Sequence, residues 1–213
     1  MSRNNIAEYI KNAVKTTPKI VSLYKQEIKN SFNQEPFKFD QKAIDYLRLV
    51  RKTKIGKMFT VFLGFKIYDF YNNEDSLNNN HRNLVGKNSL YLFCLNDLVD
   101  NFIDNELKDQ KVREDFINEV RLALVKGTYP GKIESRFQPI YVHAHIIYDT
   151  IISQRKSELV KKYDELIKNV LQINNNTDPI IALDNAKKIG GTCLEMLAIT
   201  NEEITSQQDK ESR

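Results

Sequence analysis

Apolar residues return every three or four positions along nearly the whole of this chain, and little interrupts them. In "KIVSLYKQEIKNSF" the residues Ile20, Leu23, Tyr24, Ile28 and Phe32 fall on one face of a helix. The 213 residues contain only 7 glycines and 5 prolines, too few for the closely spaced turns of a strand-rich fold. Long helices joined by short loops satisfy both observations, so the expected fold is an all-α helical bundle. Apolar residues make up 41% of the chain, enough for one core, and the reading is one α-helical domain over residues 1–199 with a polar C-terminal helix or tail over 200–213.

The elements follow from start and stop signals. "NIAEYIKNAVKTT" reads as a first helix stopped by Pro18, and "KIVSLYKQEIKNSF" as a second. "EPFKF" reads as extended, and Asp40 as the N-cap of "QKAIDYLRLVRKT". "GKMFTVFLGFKIYDFY" is apolar on nearly every side, which marks an interior helix. After the polar loop "NNEDSLNNNHRN" comes a long helix from about Leu84 to Leu107. "DQKVREDFINEVRLALVKG" follows, ended by Gly127, and "TYPGK" is a turn. "PIYVHAHIIYDTIISQRKSELVKKYDELIKNVLQI" is one very long helix or two stacked ones. Asp178 and Pro179 open a last apolar helix, interrupted by Gly190-Gly191.

Charge excludes some functions. The 32 basic and 28 acidic residues are interspersed, giving a net charge of +4 without the clustered basic face that nucleic acid requires. No apolar run reaches the roughly 18 residues of a membrane span, and "MSRNNIAEYIKN" lacks a signal-peptide core. A cytoplasmic protein is expected. Cys94 and Cys193 each lie within an apolar segment and read as reduced, buried thiols. His143 and His145, two apart on a helix, point to different faces and do not make a metal pair; one exposed and one partly buried imidazole is the expectation.

The stretch "LNDLVDNFIDNE", Leu95 to Glu106, carries the chemistry. At about 100° per residue, Asp97, Asp100 and Asp104 share an arc of roughly 60°, bordered by Asn101. Such clusters are ordinarily solvated faces. Here the same stripe runs back through Cys94, Phe93, Leu90 and Gly86, and the other faces carry Tyr91, Leu92, Leu95, Leu98, Val99, Phe102 and Ile103. Three carboxylates at the end of an inward stripe repel one another and resist desolvation, so they call for cations. No trio of lysines or arginines shares their face. A hard divalent ion such as Mg²⁺, bound by carboxylate oxygens together with phosphate, meets the need.

The string "DLVDNFID", of the form DxxDNxxD, resembles the aspartate-rich motif of class I isoprenoid synthases, with Asn101 where DDxxD has its second aspartate. It is most similar to the large terpene cyclases typified by tetraprenyl-β-curcumene synthase, and "AKKIGGTCLEMLA" looks like a glycine-containing helix of that family. The similarity spans about residues 50–199. It implies a helical fold around an apolar cavity, with Mg²⁺ on Asp97, Asp100 and Asp104 holding a prenyl diphosphate. Ionisation would leave an allylic cation for cyclisation or condensation, the chemistry of a lyase or transferase. Phe59, Phe62, Phe65, Tyr68 and Tyr91 are candidate cation-facing aromatics, or simply core residues.

Such enzymes carry a second metal motif on a facing helix, and this sequence has no second aspartate-rich segment. Family members are longer, and the expectation is a chain that stops before the second half of the site. Asn201, Thr205 and Asp209 stand at i, i+4 and i+8 as a substitute, against the alternative that Thr200 and Glu203 form a capping box. Asn101 borders the motif as a substrate-binding candidate. "RLVRKTKIGKMF" supplies Arg51, Lys54 and Lys57 as diphosphate partners, or else a solvated basic face. Gly56-Lys57 resembles the diphosphate-binding pair of prenyl-chain-lengthening enzymes. Gly190-Gly191 allows either backbone approach to a diphosphate or tight helix packing.

Three functions compete. The first is a Mg²⁺-dependent isoprenoid synthase. The second is a truncated or partner-dependent relative that binds prenyl diphosphate without turnover, completed by a second copy or another chain. The third is a non-catalytic helical interaction protein, which predicts no Mg²⁺-dependent stabilisation.

Overall fold

A computed structural model describes residues 3–37, 40–49, 54–72, 79–153 and 160–165, with the single positions Ile180, Asp184, Glu195 and Ala198. Every element among them is helical: α1 (Arg3–Ser31), α2 (Gln41–Leu49), α3 (Lys54–Asn72), α4 (Asn79–Glu106), α5 (Gln110–Lys126), α6 (Gln138–Ile147) and a π-helical turn, Tyr148–Ile152. The all-α bundle read from periodicity is what the chain forms.

One helix, α1, stands where two were expected, with Pro18 inside it. Proline removes one backbone donor and displaces the carbonyl four residues back, a cost of about 3 kcal/mol in a helix interior. The helix continues because its apolar stripe stays in phase across the proline. Ala13, Thr17, Ile20, Tyr24, Ile28 and Phe32 are all buried. Thr16 and Thr17 turn their hydroxyls onto the carbonyls of Asn12 and Ala13 just ahead of the break. Residues 32–36 then form turns and a bend, so Glu35 and Pro36, joined by a cis bond, are not in the extended conformation expected of "EPFKF"; residues 38–39 of that stretch lie outside the described ones.

Asp40 caps α2 as read: its carboxylate accepts from the Lys42 amide at 2.8 Å and also from the Ser135 hydroxyl, and these bonds hold its pKa below the usual carboxylate range. Likewise Asp109 accepts from the Val112 amide at 3.0 Å to open α5, and Gly127, at φ 61°, closes it in the left-handed conformation.

The centre of the bundle is α4, which packs on α1, α3 and α6. It begins at Asn79, five residues ahead of the expected start, and ends at Glu106. Close approach to α3 is set at Gly64, where an added Cβ would lie 2.0 Å from Ser89 Oγ. In turn α5 and α2 pack on α6. The interior is filled largely by rings and branched aliphatics, with Tyr91, Tyr141, Phe32, Phe65, Ile20 and Leu90 fully buried.

Candidate functional site on helix α4

Because α4 is unbroken from Asn79 to Glu106, the backbone places Asp97, Asp100 and Asp104 within one arc of about 60°. That arc lies between the directions in which α3 and α1 sit. Phe93, one turn before Asp97 on the same face, packs beside Ile67 and Leu63 of α3. On the α1 side, Tyr24 lies against Cys94. Burial first, then Cys94 and Tyr91, then the carboxylate of Asp97, hold the Tyr24 phenol well above its ordinary pKa. Asp97 itself is half-buried. The side chains of Asp100 and Asp104 lie outside the described ones.

Asn101 is exposed and donates from Nδ2 to the Asp97 carbonyl at 2.8 Å, so one of its amide bonds goes to its own helix. Lys57 is half-buried in the first turn of α3. Six residues join α3 to α4, a reach of at most about 25 Å, too short to return along a helix of 19 residues, so the two run antiparallel. With Gly64 set against Val85 and Ser89, the start of α3 comes within about a turn of the level of Asp97. The basic run and the aspartates therefore share one end of the helix pair. Arg51, and the substitute triad Asn201, Thr205 and Asp209, lie outside the described residues, as do Cys193 and Gly190-Gly191. The side chains of Lys54 and Tyr68 are also outside them.

Beside Phe93, Leu63 and Leu92 sits Ala198, buried against Ile67.

Among the candidate aromatics, Phe65 and Tyr91 are core residues and Phe62 is half-buried, but Phe59 is 57% exposed and faces away from any interior wall. Among the described residues, no three His, Cys, Asp or Glu side chains gather as a metal site. The fit to Mg²⁺ therefore rests on the helical register of the three aspartates and on the hard oxygen donors of Asp97.

Sequence reasoning missed a polar chain at the junction of α1, α4 and α6. The Tyr24 hydroxyl lies 2.7 Å from His143 Nε2, and His143 Nδ1 lies 2.6 Å from the Pro139 carbonyl. A carbonyl only accepts, so Nδ1 carries the proton and Tyr24 donates to Nε2. Full burial lowers the His143 pKa to about 4. Next to it, Tyr91 donates to Glu27, which also pairs with Lys87; burial and then the Glu27 carboxylate push the Tyr91 phenol far up.

Neither imidazole is exposed, contrary to expectation. His143 is wholly buried, and half-buried His145 lies between the Tyr129 hydroxyl (2.9 Å, Nδ1) and Asp149 (3.3 Å, Nε2). A signal for the first was visible: a histidine in a run otherwise made of Ile, Val, Ala and Tyr must be desolvated, and so needs a partner.

Cys94 is a buried thiol in no disulfide, as expected. Among the described residues no helix is long and apolar enough to cross a membrane. Comparison with protein-family models, curated proteins and solved structures gives no match.

Proposed function

We propose that this chain is a class I isoprenoid-synthase-like protein that binds a prenyl diphosphate through Mg²⁺ held by Asp97, Asp100 and Asp104. The observation that carries the reading is the position of α4. An aspartate-bearing helix packs on α1, α3 and α6 of an all-helical bundle, and the half-buried carboxylate of Asp97 lies close enough to Tyr24 of α1 to act on its phenol. When bound, Mg²⁺ neutralises the diphosphate and stabilises the charge that develops as it departs. Lys57 and Lys54, at the level of Asp97, add positive charge for the same anion, with Arg51 three residues before Lys54. Asn201, Thr205 and Asp209 stand at i, i+4 and i+8 in the sequence as the candidate second set of oxygen donors. The apolar lining belongs to α3 and α4: Phe93 stands one turn from Asp97 and, with Leu63, packs against Ile67.

The test is diphosphate release from C10 to C35 prenyl diphosphates, with Mg²⁺ or with EDTA, by this chain and by its Asp100→Asn, Asp104→Asn variant. Release that needs both metal and aspartates is expected. Release that persists in EDTA, or in the variant, overturns the assignment.

A second reading, binding without turnover, is favoured by one feature. Tyr24, Tyr91 and His143 pack ring against ring, with centroids 5.3 to 6.3 Å apart, and fill the interior on the α1–α6 side of Asp97. A long prenyl tail then lies toward α3 or against a partner chain. That reading expects Mg²⁺-dependent binding of a non-hydrolysable prenyl diphosphate analogue, seen by calorimetry, with no release of diphosphate.

A further inference from the structure

The N-terminal half of α1 leaves part of its apolar surface uncovered. Ala13, Thr17 and Ile20 are buried, but the apolar residues ahead of them and beside them on the helix are not: Ile6 and Ile10 are 46% exposed and Val14 50%. Isolated helices of this length are marginal in water, so a helix with uncovered apolar residues gains from a surface to lie on.

Its charge says which surface. Lys11, Lys15 and Lys19 are exposed and form a second row at i, i+4 and i+8. Between Arg3 and Lys19 there are four basic residues against the single Glu8, which supplies three of the chain's four net positive charges. An apolar stripe backed by a lysine row is the pattern of a helix lying in the plane of an anionic lipid interface. Lysine suits that role. It is a compact, strongly hydrated point charge that reaches a diffuse negative surface, whereas recognition of a defined carboxylate or phosphate pair favours the arginine fork.

We infer that the N-terminal half of α1 is a membrane-surface docking helix, placing Ile6, Ile10 and Val14 among the acyl chains of an anionic leaflet with its lysines at the headgroups. This is independent of the function proposed above, and it makes the protein peripheral to the bilayer.

The experiment is cosedimentation of the full chain with vesicles of phosphatidylcholine alone and with 30% phosphatidylglycerol. The wild type is compared with an Ile6→Ser, Ile10→Ser, Val14→Ser variant and a Lys11→Gln, Lys15→Gln, Lys19→Gln variant. Circular dichroism establishes that each is folded, and light scattering gives its oligomeric state. Binding is expected only with the anionic lipid, weakened on the order of tenfold or more by either set of substitutions and by 0.5 M salt. Folded wild-type protein that ignores both vesicles overturns the inference. So does binding that survives the serine substitutions. A dimer that the serine variant dissociates, without vesicle binding by the wild type, assigns the stripe to a second copy and overturns it equally.

Discussion

Tyr24 on α1 donates its phenolic proton to Nε2 of His143 on α6 at 2.7 Å, between residues 119 apart in sequence and both buried. The pair ties the first helix to the sixth across the flank of α4, with Tyr91 stacked edge-on to the imidazole. It also fixes the imidazole as neutral, because Nδ1 is committed to the Pro139 carbonyl and Nε2 to the phenol.

Stability should therefore fall with acid in a defined window. The ordinary imidazole value is 6.5, and burial lowers His143 to about 4. Below 6.5 the unfolded chain takes up a proton that the fold does not, so stability is complete above that value. It declines as the pH falls to about 4 and then levels off. The loss is on the order of 3 kcal/mol. Urea midpoints at pH 7.5 and 4.5 measure it, and His143→Gln should flatten this part of the slope; an unchanged slope in the variant would disprove the assignment.

Removing only the donor tests the bond itself. Tyr24→Phe leaves Nε2 buried with no proton to accept, a penalty of about 1–3 kcal/mol. A double-mutant cycle with His143→Gln should show a coupling well above zero. Purely additive losses would mean that the two residues contribute packing alone.

At the α3–α4 crossing, Gly64→Ala would bring a Cβ to 2.0 Å from Ser89 Oγ and 2.9 Å from Ser89 Cβ. Helix propensity favours alanine by up to about 1 kcal/mol, and overpacking costs about 1–3 kcal/mol. A net loss is expected, because the obstructing hydroxyl is buried and bonded to the Val85 carbonyl. Adding Ser89→Ala removes the closer of the two clashes and should recover part of the midpoint.

Gly127→Ala combines two faults. The residue sits at φ 61°, and its Cβ would lie 2.5 Å from the Tyr148 ring in the π-helical turn. A loss of at least about 1 kcal/mol follows from the backbone alone. Gly131→Ala, with open space around its Cβ, is the matched control and should leave the thermal midpoint where it is.

For the aspartates, Mg²⁺ should stabilise the wild type by about 2.7 kcal/mol at a hundredfold excess over Kd, read as a rise in its thermal midpoint. The Asp100→Asn, Asp104→Asn variant should lose that rise while staying at least as stable as the wild type in EDTA, since mutual repulsion is relieved. A variant that unfolds in EDTA would make the aspartates structural.

Features legible along the chain are those that act within about four residues. Helical spacing of apolar positions specified the all-α class and the long inward helix that became α4. Asp40, Asp109 and Gly127 marked helix ends because capping is a contact between near neighbours. The shared face of Asp97, Asp100 and Asp104 follows from helical pitch alone.

Which faces meet depends on how whole helices dock. Pro18 stops a helix by local rules, yet α1 runs through it because burial on both sides outweighs one lost hydrogen bond. Phe59 and Phe65 occupy the same interior-looking helix, but one points to solvent and the other to the core. Glu27 finds Lys87 and Tyr91, and Tyr24 finds His143, only after helices far apart in sequence have docked. Desolvation makes such pairings necessary; the partner is set by the packing of whole helices, which no local pattern encodes.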